Sequence, residues 1–389
     1  MDIKNNTIVK FGDVVHLNTD RVSDPLAAGI ERYVGLEHIE PENLHIRSWG
    51  LVAEGTTFTN RFKPGQVLFG KRRAYQRKVA VADFEGVCSS DIYVFESKDP
   101  NVLLPELVPF ILQSEGFFEY AVKTSAGSLS PRTNWSHLAN YEFILPPLDE
   151  QRRIADLLWA TDKAISQNIE LEVALQKLLS SQLVENFVKT PKQFSKEWKI
   201  VELQDLCDKP IVYGIVQARE HIENGIPYVR VVDMVKGYLS LEDMLRTTPE
   251  IDNTYRRARL EANDIVFTLR GVIGNVLIVP EELGGINISR GVARISPKDN
   301  LENYMIWVIQ SPFVKSQITK VSTGSTFKEI KIGSLRKLNI PISINRNTVN
   351  EITETLSNTQ NTLEILAKHI KVSKELKSKY MNQLLQQGN

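Results

Sequence analysis

Two stretches of the chain carry an apolar position at every third or fourth residue, and the first of them covers residues 148–190. A pair of prolines precedes this stretch, Pro191 follows it, and no Pro or Gly lies inside it. Asp149 is placed to cap the first free N–H groups of a helix, and Glu150 suits the positive end of its dipole. We therefore expect a helix of roughly 60 Å, at about 1.5 Å per residue, which is longer than one domain needs to close its core.

The second stretch starts near Val349. Mostly apolar residues follow one another there at alternating spacings of three and four: Ile352, Leu356, Thr359, Leu363, Leu366, Ile370, Ser373, Lys377, Tyr380 and Leu384. This spacing is typical of a coiled-coil seam, which weakens at Ser373 and Lys377. A poorer seam lies in the first stretch, at Ile154, Leu158, Thr161, Ile165, Asn168, Glu172, Leu175 and Leu179. The two seams predict an antiparallel coiled coil. The alternative is two separate amphipathic helices that lie on separate domains.

The rest of the chain is an internal repeat, because segments recur in the same order at an offset within a few residues of 195. The pairs are FGDVVHL at Phe11 with LQDLCDK at Leu203, ERYVGLEHI around Tyr33 with IPYVRVVDM around Tyr228, KPGQVLFGKRR at Lys63 with ANDIVFTLRG at Ala262, and TSAGSLSPR at Thr124 with VSTGSTFKE at Val321. The strands that end at Pro146 and Pro341 also match. We therefore predict one globular module that is used twice.

Each module reads as short strands with one helix, near 106–123 in the first and 301–320 in the second. The predicted strands are YVGLEHI, QVLFG, KVAVADF and DIYVF in the first module and IVFTL, NVLIV and GVARI in the second. The fold class is therefore α+β, with mostly β, barrel-like cores and an approximate two-fold arrangement about the helices. The expected boundaries are module 1 at 1–147, the first helix at 148–190, a linker at 191–198, module 2 at 199–341 and the second helix at 342–389.

The amino-acid composition excludes only a few classes of binding partner. The chain is 42% hydrophobic and 24% charged, and its 47 Lys and Arg balance its 47 Asp and Glu, so only a local cluster can indicate a polyanionic partner. The polar start MDIKNN and the short, proline-broken apolar runs favour a cytoplasmic protein with no membrane partner. Cys88 and Cys207 are isolated, which excludes a disulfide framework or a Cys-based zinc site and favours two core residues.

Basic residues do cluster locally. Seven occur without an acid between Arg61 and Ala80, together with an aromatic and an amide side chain: Arg61, Lys63, Lys71, Arg72, Arg73, Tyr75, Gln76, Arg77 and Lys78. Module 2 has a smaller set at Tyr255, Arg256, Arg257, Arg259, Arg270 and Arg290. Lys and Arg hold phosphates, whereas Arg and Gln also pair with base edges in the major groove. We interpret both sets as DNA-binding, and the alternative is a solvated turn between strands.

Each module also has a glycine and a hydroxyl residue followed by a cation. They are Gly127, Ser128 and Arg132 in module 1, and Gly324, Ser325, Thr326 and Lys328 in module 2. Glycine allows backbone N–H groups to approach a phosphate, and the hydroxyl and the cation complete the contact. A single such segment is typical of an ordinary turn, but the recurrence at equivalent places favours a second DNA contact.

The catalytic motifs that we considered fail on physical grounds. GxxxxGK at 65–71 places Arg72 where a P-loop needs Ser or Thr for magnesium, and its interval is a buried strand. LPPL at 145–148 lacks the polar and aromatic residues with which amino-methyltransferases hold a flipped base. The six histidines are scattered. The sequence therefore predicts no catalytic residue, no metal site and no enzyme activity.

The string ILPPLDEQRRI at Ile144, which leads into the long helix, resembles the conserved region of specificity subunits of type I restriction-modification enzymes. The resemblance covers the whole chain and implies two target-recognition domains, each reading one half of an interrupted sequence in double-stranded DNA. It also implies that the helices set the gap and dock two modification subunits, with Glu150 and Gln151 as docking residues. Those subunits carry S-adenosylmethionine and methylate adenine at N6, and restriction subunits use ATP and magnesium, so no cofactor is expected in this chain.

One segment departs from the family pattern. The second conserved region reads NIPISINRNTVNEI from Asn339 and lacks both the second proline and the Glu-Gln pair. The resemblance therefore does not imply that modification subunits dock in the same way at the two conserved regions. Two other functions remain open: a free-standing bipartite DNA-binding regulator, and a structural tether whose duplicated domains bind proteins.

Overall fold

The computed structural model describes residues 7–187, 197–324 and 328–385. The chain divides into two compact units: unit 1 comprises Met1–Glu170 with Lys368–Asn389, and unit 2 comprises Leu171–Ala367. Each unit therefore contains one of the predicted modules and a part of both long helices. Within the described ranges, no helix is long and apolar enough to cross a membrane.

From residue 7 onward, where the described part of the chain begins, module 1 contains ten short strands and four short helices before the first long helix. The strands are β1 Thr7–Lys10, β2 Val15–Asn18, β3 Arg32–Val34, β4 Gly50–Leu51, β5 Asn60–Phe62, β6 Val67–Gly70, β7 Val79–Val81, β8 Gly86–Cys88, β9 Ile92–Ser97 and β10 Glu142–Leu145. The helices are α1 Phe11–Val14, α2 Val108–Gln113, α3 Glu115–Lys123, α4 Trp135–Leu138 and the long α5 Leu148–Phe187.

Module 2 repeats this order with small changes. Its strands are β11 Trp198–Glu202, β12 Val212–Tyr213, β13 Ile226–Val229, β14 Leu245–Thr247, β15 Ile265–Thr268, β16 Val276–Ile278, β17 Asn287–Ile288, β18 Val292–Ile295 and β19 Asn339–Ser343. Its helices are α6 Pro249–Thr254, α7 Glu302–Gln310, α8 Pro312–Val321, α9 Ile332–Arg336 and the long α10 Arg346–Leu384. All seven predicted strand segments contain a strand.

The two modules share their sheet topology apart from one additional strand, β5, in module 1, which confirms the repeat. Strand order β2-β9-β6-β7 in module 1 corresponds to β12-β18-β15-β16 in module 2, and the antiparallel pair β1-β10 corresponds to β11-β19. A third sheet has the order β4-β3-β8-β5 in module 1 and β14-β13-β17 in module 2, and β3-β8 and β13-β17 are both parallel pairs. The chain is thus α+β with two modules of one fold.

The central strands are apolar on both faces because they lie between two layers. Every residue of β6 and of β15 is buried. On one side of module 1, aromatic side chains from the helices pack on the sheet; the ring centroids of Phe11 and Phe95 lie 5.5 Å apart, and those of Phe69 and Phe117 5.7 Å apart. Cys88 is buried and Cys207 half-buried, as predicted for core residues, and burial raises the pKa of each thiol to about 12.

Each predicted module helix is in fact two helices, broken at a serine. Ser114 separates α2 from α3, and Ser311 separates α7 from α8. Both side chains are buried, both hydroxyls donate to the carbonyl three residues back, at 2.7 and 2.6 Å, and both cap the next helix. The prediction of one helix was wrong because a buried serine ends one helix and caps the next inside an apolar run. In module 2, Pro312 directly after Ser311 is a break signal that the prediction overlooked.

The long helices pack against each other within each unit. In unit 1, Asn168 of α5 lies 3.2 Å from His369 of α10, and Asp162 contacts Lys377, so the numbering falls along α10 as it rises along α5. In unit 2, Gln182 of α5 accepts a hydrogen bond from Thr359 at 3.1 Å. These contacts confirm the antiparallel pairing, and the alternative of two separate amphipathic helices is wrong.

The seam differs from its prediction at one end. The predicted seam positions of α10 are buried from Ile352 to Ile370. Beyond Lys377, the predicted position Tyr380 is exposed, and the residues one position later than predicted, Met381 and Leu385, are buried instead. Asp162 is buried in place of Thr161. An ideal helix drifts relative to a strict heptad, so a seam shifts by a residue over several turns.

The helix boundaries also shift slightly. The first long helix starts at Leu148, so Asp149 lies within its first turn and is not its cap. Its predicted end and most of the predicted linker, residues 188–196, lie outside the described part of the chain. Trp198, the last residue of that linker, begins strand β11, and the second long helix begins at Arg346 after the strand Asn339–Ser343.

Candidate nucleic-acid interface

The basic segment of module 1 is the connection between β6 and β7. A single 3-10 turn, Ala74–Gln76, is flanked by Arg73 and Arg77, which both have left-handed backbone conformations with φ of 55° and 53°. The backbone N–H of Arg73 donates to the carbonyl of Pro131 at 2.7 Å, which ties this turn to the loop before α4. The turn places Tyr75 at its tip, where the side chain is 55% exposed.

Asp91 joins the two predicted DNA-binding segments of module 1. Its carboxylate accepts hydrogen bonds from Arg132, at 2.8 Å from Nε and 3.4 Å from a terminal nitrogen, and lies 3.5 Å from Arg72. The hydrogen bond from Arg132 lowers the pKa of Asp91 and, with the charge of Arg72, outweighs the opposing effect of burial. Arg72 also donates to Ser130 at 3.1 Å. The arrangement holds two guanidinium groups side by side on one carboxylate.

Lys71 and Arg73 lie on either side of this pair. The ammonium of Lys71 is 4.6 Å from the centre of the Tyr93 ring, and burial lowers the pKa of Lys71 although the charge of Asp91 opposes the shift. Arg73 donates to the Ser130 hydroxyl at 3.3 Å. The Nε atoms of Arg72 and Arg73 are both buried without a hydrogen-bond partner. These four cations, Lys71, Arg72, Arg73 and Arg132, form one basic surface.

Other residues of the basic segment are paired inside the module. Arg61 binds Glu85, Arg77 binds Glu115, and Lys78 donates to the carbonyl of Leu36. The hydrogen bond with Glu115 raises the pKa of Arg77. The interpretation of this segment as uniformly available to DNA needs correction, because carboxylates distant in sequence neutralise part of it. Lys63 and Tyr75 are exposed, and Gln76 is half-buried.

The glycine loops have the same conformation in the two modules. Gly127 and Gly324 both have positive φ, 111° and 101°, and Ser128 is exposed. Ser325 and Thr326 lie outside the described residues. In module 1 the backbone of Ala126 exchanges two hydrogen bonds with Arg132, and in module 2 Thr323 does so with Glu329, all four at 2.9 Å. Glu329 therefore occupies the place of Arg132, and the predicted cation Lys328 is its neighbour on the same loop.

Three of the predicted residues of module 2 line one cavity of about 670 Å³. They are Arg270, Arg290 and Lys328, and all three are exposed. Tyr228, Arg230, Ser289 and Glu329 also line it. Arg230 is held by Asp233 at 2.6 Å, whereas no described acid forms an ion pair with Arg270, Arg290 or Lys328. The cavity is thus bordered by three unpaired cations and one exposed carboxylate.

The remaining predicted residues of module 2 do not join this group. Tyr255 and Arg257 line a different cavity, of about 290 Å³, together with Tyr213 and Arg336. Arg256 is exposed, and Nε of Arg259 donates to Asp252 at 2.9 Å. That contact raises the pKa of Arg259. The sequence cluster therefore splits in space, and Tyr255, Arg256, Arg257 and Arg259 form a separate surface.

The two predicted docking residues have different environments. Glu150 is partly exposed and binds Arg153 at 2.6 Å, which lowers its pKa. The Gln151 side chain is buried and makes three hydrogen bonds of 2.8–2.9 Å, to the N–H of Leu104 and the carbonyls of Val102 and Pro146. The prediction that Gln151 docks a partner is not supported, because its amide is used to hold the loop before α2 against α5.

Arg346 performs the equivalent task in module 2. It stands where the repeat places Gln151, and its guanidinium donates to the carbonyls of Asp299 and Asn300, the second at 3.3 Å, in the loop before α7. The loss of the glutamine in the second conserved region is therefore compensated within the fold. A guanidinium replaces an amide as the donor to the same loop.

Sequence reasoning missed several residues of these surfaces: Asp91, Tyr93, Ser130, Arg230 and Glu329. Asp91, Tyr93 and Arg230 lie outside the basic segments. Ser130 and Glu329 lie inside the paired segments TSAGSLSPR and VSTGSTFKE, and that pairing already sets Glu329 opposite Arg132. Among the described residues, no group of three or more His, Cys, Asp or Glu is placed to hold a metal ion.

Comparison with known proteins gives a family. The family model described as type I restriction modification DNA specificity domain matches residues 4–175 and 195–374. The EcoBI specificity subunit of Escherichia coli is 29% identical over 225 residues, which cover 51% of this chain and 47% of that subunit, so this match spans about half of the relative's length. The MjaVIII specificity subunit of Methanocaldococcus jannaschii is 24% identical over 390 residues, 95% of this chain and 84% of that subunit.

A solved structure shows the same fold. The type I restriction-modification S subunit from M. genitalium superposes with a TM-score of 0.64 at 14% sequence identity, over 100% of this chain and 98% of that one. The family model, which matches one domain in each half of the chain, agrees with the two modules and their shared sheet topology. The chain belongs to the family of type I restriction-modification DNA specificity proteins.

Proposed function

We propose that this chain is the non-catalytic DNA-reading subunit of a type I restriction-modification complex. Each module reads one half of an interrupted DNA sequence, and the long helices set the gap between the halves. The observation that carries the proposal is the place of Arg72 and Arg270. Each follows an inner strand of the corresponding four-stranded sheet, β6 in module 1 and β15 in module 2, and each pairs by its backbone with the loop that follows the glycine turn. One fold thus presents an arginine at one position twice.

The surroundings of these two arginines differ, which supports two different half-sites. Module 1 surrounds Arg72 with Asp91, Arg132 and Ser130, whereas module 2 surrounds Arg270 with Gly291, Arg290 and Glu329. Arginine pairs with guanine in the major groove, and the neighbouring donors and acceptors select the adjacent bases. Two modules with unlike side chains at matched places suit an asymmetric target.

The helices supply the second part of the proposal. α5 is continuous over 40 residues and α10 over 39, which corresponds to about 60 Å each at about 1.5 Å per residue. Half-sites one DNA turn apart, about 34 Å, lie on the same side of the duplex. We expect that deletion of heptads from both helices changes the permitted gap and leaves both half-sequences unchanged.

Partner subunits supply the chemistry. The proposal assigns S-adenosylmethionine and adenine N6 methylation to two modification subunits, and ATP and magnesium to restriction subunits. Glu150 remains the docking residue, since its side chain is accessible beside the start of α5. A free-standing DNA-binding regulator would not form a complex with modification or restriction subunits.

Two measurements on the full-length chain test this function. Expressed in its host, the chain is expected to copurify with a methyltransferase subunit. The complex should bind duplex DNA with a log affinity that falls linearly and steeply with log salt concentration, because phosphate contacts release counterions. Absence of salt-dependent binding to duplex DNA would indicate a protein tether, and DNA binding without any copurified methyltransferase would indicate a free-standing regulator.

A further inference from the structure

The loops around Arg72 and Arg270 match residue by residue. The N–H of Lys71 donates to the Asp91 carbonyl at 3.0 Å, and the N–H of Leu269 donates to the Gly291 carbonyl at 2.8 Å. The next contact also repeats: the N–H of Thr133 donates to Lys71 at 3.0 Å, and that of Ile330 donates to Leu269 at 2.9 Å. Gly291 therefore replaces Asp91, and Glu329 replaces Arg132, on an unchanged backbone.

This exchange moves the carboxylate from the connection between β8 and β9 to the loop after the glycine turn. In module 1 the carboxylate of Asp91 accepts hydrogen bonds from both Arg72 and Arg132 and orients these two donors. In module 2 a glycine takes that place, and a Cβ there would lie only 2.7 Å from Nε of Arg270. The arginine thus fills the space that Asp91 occupies in the first module.

No described side chain or backbone N–H donates a hydrogen bond to the Glu329 carboxylate. It is exposed, it lines the 670 Å³ cavity with Arg270, Arg290 and Lys328, and no ion pair joins it to a described cation. A carboxylate repels phosphate, so it is unfavourable at a surface that only holds a DNA backbone. It is favourable where a base offers an amino group, because Glu accepts from the exocyclic nitrogen of a base in the major groove.

We propose that Glu329 is a specificity-determining residue of module 2 that accepts a hydrogen bond from an exocyclic amino group of a base, the N4 of cytosine or the N6 of adenine. Arg132, at the same place in module 1, donates to a base acceptor such as the O6 and N7 of guanine. The three cations around Glu329 offset its repulsion by phosphate. This inference rests on the proposed function and adds the residue that selects one base in each half-site.

The test is selection from a duplex library with the full-length chain in the complex in which it is isolated. The wild type is expected to select two specified segments. Glu329→Gln retains size and an acceptor but loses the charge, and Glu329→Arg reproduces module 1. Glu329→Arg should lower the preference at one position of one half-site by roughly five-fold or more and shift that position toward guanine. Glu329→Gln should lower a preference for cytosine by a similar factor but keep a preference for adenine, because Gln pairs with the N6 and N7 of adenine. The base lost, cytosine or adenine, identifies the amino group.

Lys328→Ala is the matched control, because Lys328 is the exposed neighbour on the same loop. It should weaken binding to all sequences alike and leave the base preference unchanged. Uniform weakening by both Glu329 variants with unchanged preferences would overturn the inference, and would show that Glu329 only orients Arg270. If the wild type selects no sequence at all, the proposed function fails as well, so the two failures are distinguishable.

Discussion

In unit 1, the ammonium of Lys377 on α10 donates to the Oδ1 of Asp162 on α5, and the two side chains are only 10% and 9% exposed. The second carboxylate oxygen of Asp162 lies 2.8 Å from Nε2 of His45, in the connection between β3 and β4. The ammonium also lies 5.3 Å from the centre of the Phe110 ring. One buried carboxylate therefore links both long helices to module 1.

Removal of one member of the buried ion pair between Asp162 and Lys377 should lower the stability of the protein. Asp162→Ala leaves the Lys377 ammonium buried without its counter-charge, and we expect a loss of about 3–5 kcal/mol in the free energy of unfolding of unit 1. The double variant Asp162→Leu with Lys377→Met removes both charges and should recover most of the loss. Asp156→Ala, an exposed acid on the same helix, is the control and should change stability by less than about 0.5 kcal/mol. Denaturant titration followed by circular dichroism measures all three.

The same pair predicts an acid dependence. Burial alone would raise the pKa of Asp162, but the hydrogen bond from His45 and the charge of Lys377 outweigh it, so the folded-state pKa is lowered. The stabilisation is therefore complete above the unfolded pKa of about 3.9 and is lost as pH falls through the lower folded pKa. The difference in unfolding free energy between wild type and Asp162→Asn should shrink as the pH falls below about 4. A difference that grows on acidification below about pH 4 would contradict this assignment.

The helix pair was predictable from sequence because heptad spacing is a local signal, but this ion pair was not. Lys377 reads as a weak point of the seam, and only the facing residue reveals that it is buried with a carboxylate. The breaks at Ser114 and Ser311 were missed for a related reason. Each serine lies inside an apolar run, and its role depends on a carbonyl that only the folded helix presents.

Substitutions of Gln151 and Glu150 should have different effects, the first on the stability of the fold and the second on binding of the modification subunit. Gln151→Ala leaves the N–H of Leu104 and two carbonyls without their partner, and we expect a loss of about 1–3 kcal/mol in unfolding free energy. Glu150→Ala removes an exposed pair with Arg153 and should cost no more than about 1 kcal/mol. Pull-down of the modification subunit at a temperature where both variants are folded should be weakened by Glu150→Ala. Unchanged recovery with that variant would remove Glu150 from the docking surface.

Arg72 and Arg270 should act on different halves of the target. Arg72→Ala removes a guanidinium of module 1, and we expect a loss of about 1–3 kcal/mol in discrimination at one half-site. Arg270→Ala should give the mirror result at the other half-site. Lys63→Ala, which changes an exposed lysine, should instead weaken all sequences alike and reduce the salt slope by about 1. Competition binding with duplexes altered in one half at a time measures each effect. Equal loss at both halves from either arginine variant would show that the modules do not read independently.

The candidate interface was only partly predictable from sequence. The basic segment at 61–78 was found because its residues are adjacent, yet Glu85, Asp91 and Glu115 neutralise or orient part of it from other elements. Conversely, Arg270 and Arg290 are distant in sequence and still line one cavity. Sequence spacing identifies a charge cluster, whereas the partner that directs each charge is set by strand order. A search for cations likewise includes Lys328 and misses the carboxylate of its neighbour Glu329.

The most direct test of the central claim is a map of N6-methyladenine in the host genome, with the gene for this chain intact, deleted, and carrying Arg270→Ala. We expect one methylated motif composed of two short specified segments around an unspecified gap. It should be lost on deletion, and the arginine variant should relax one segment and leave the other unchanged. A motif that persists without the gene, or one that is contiguous, would contradict the account.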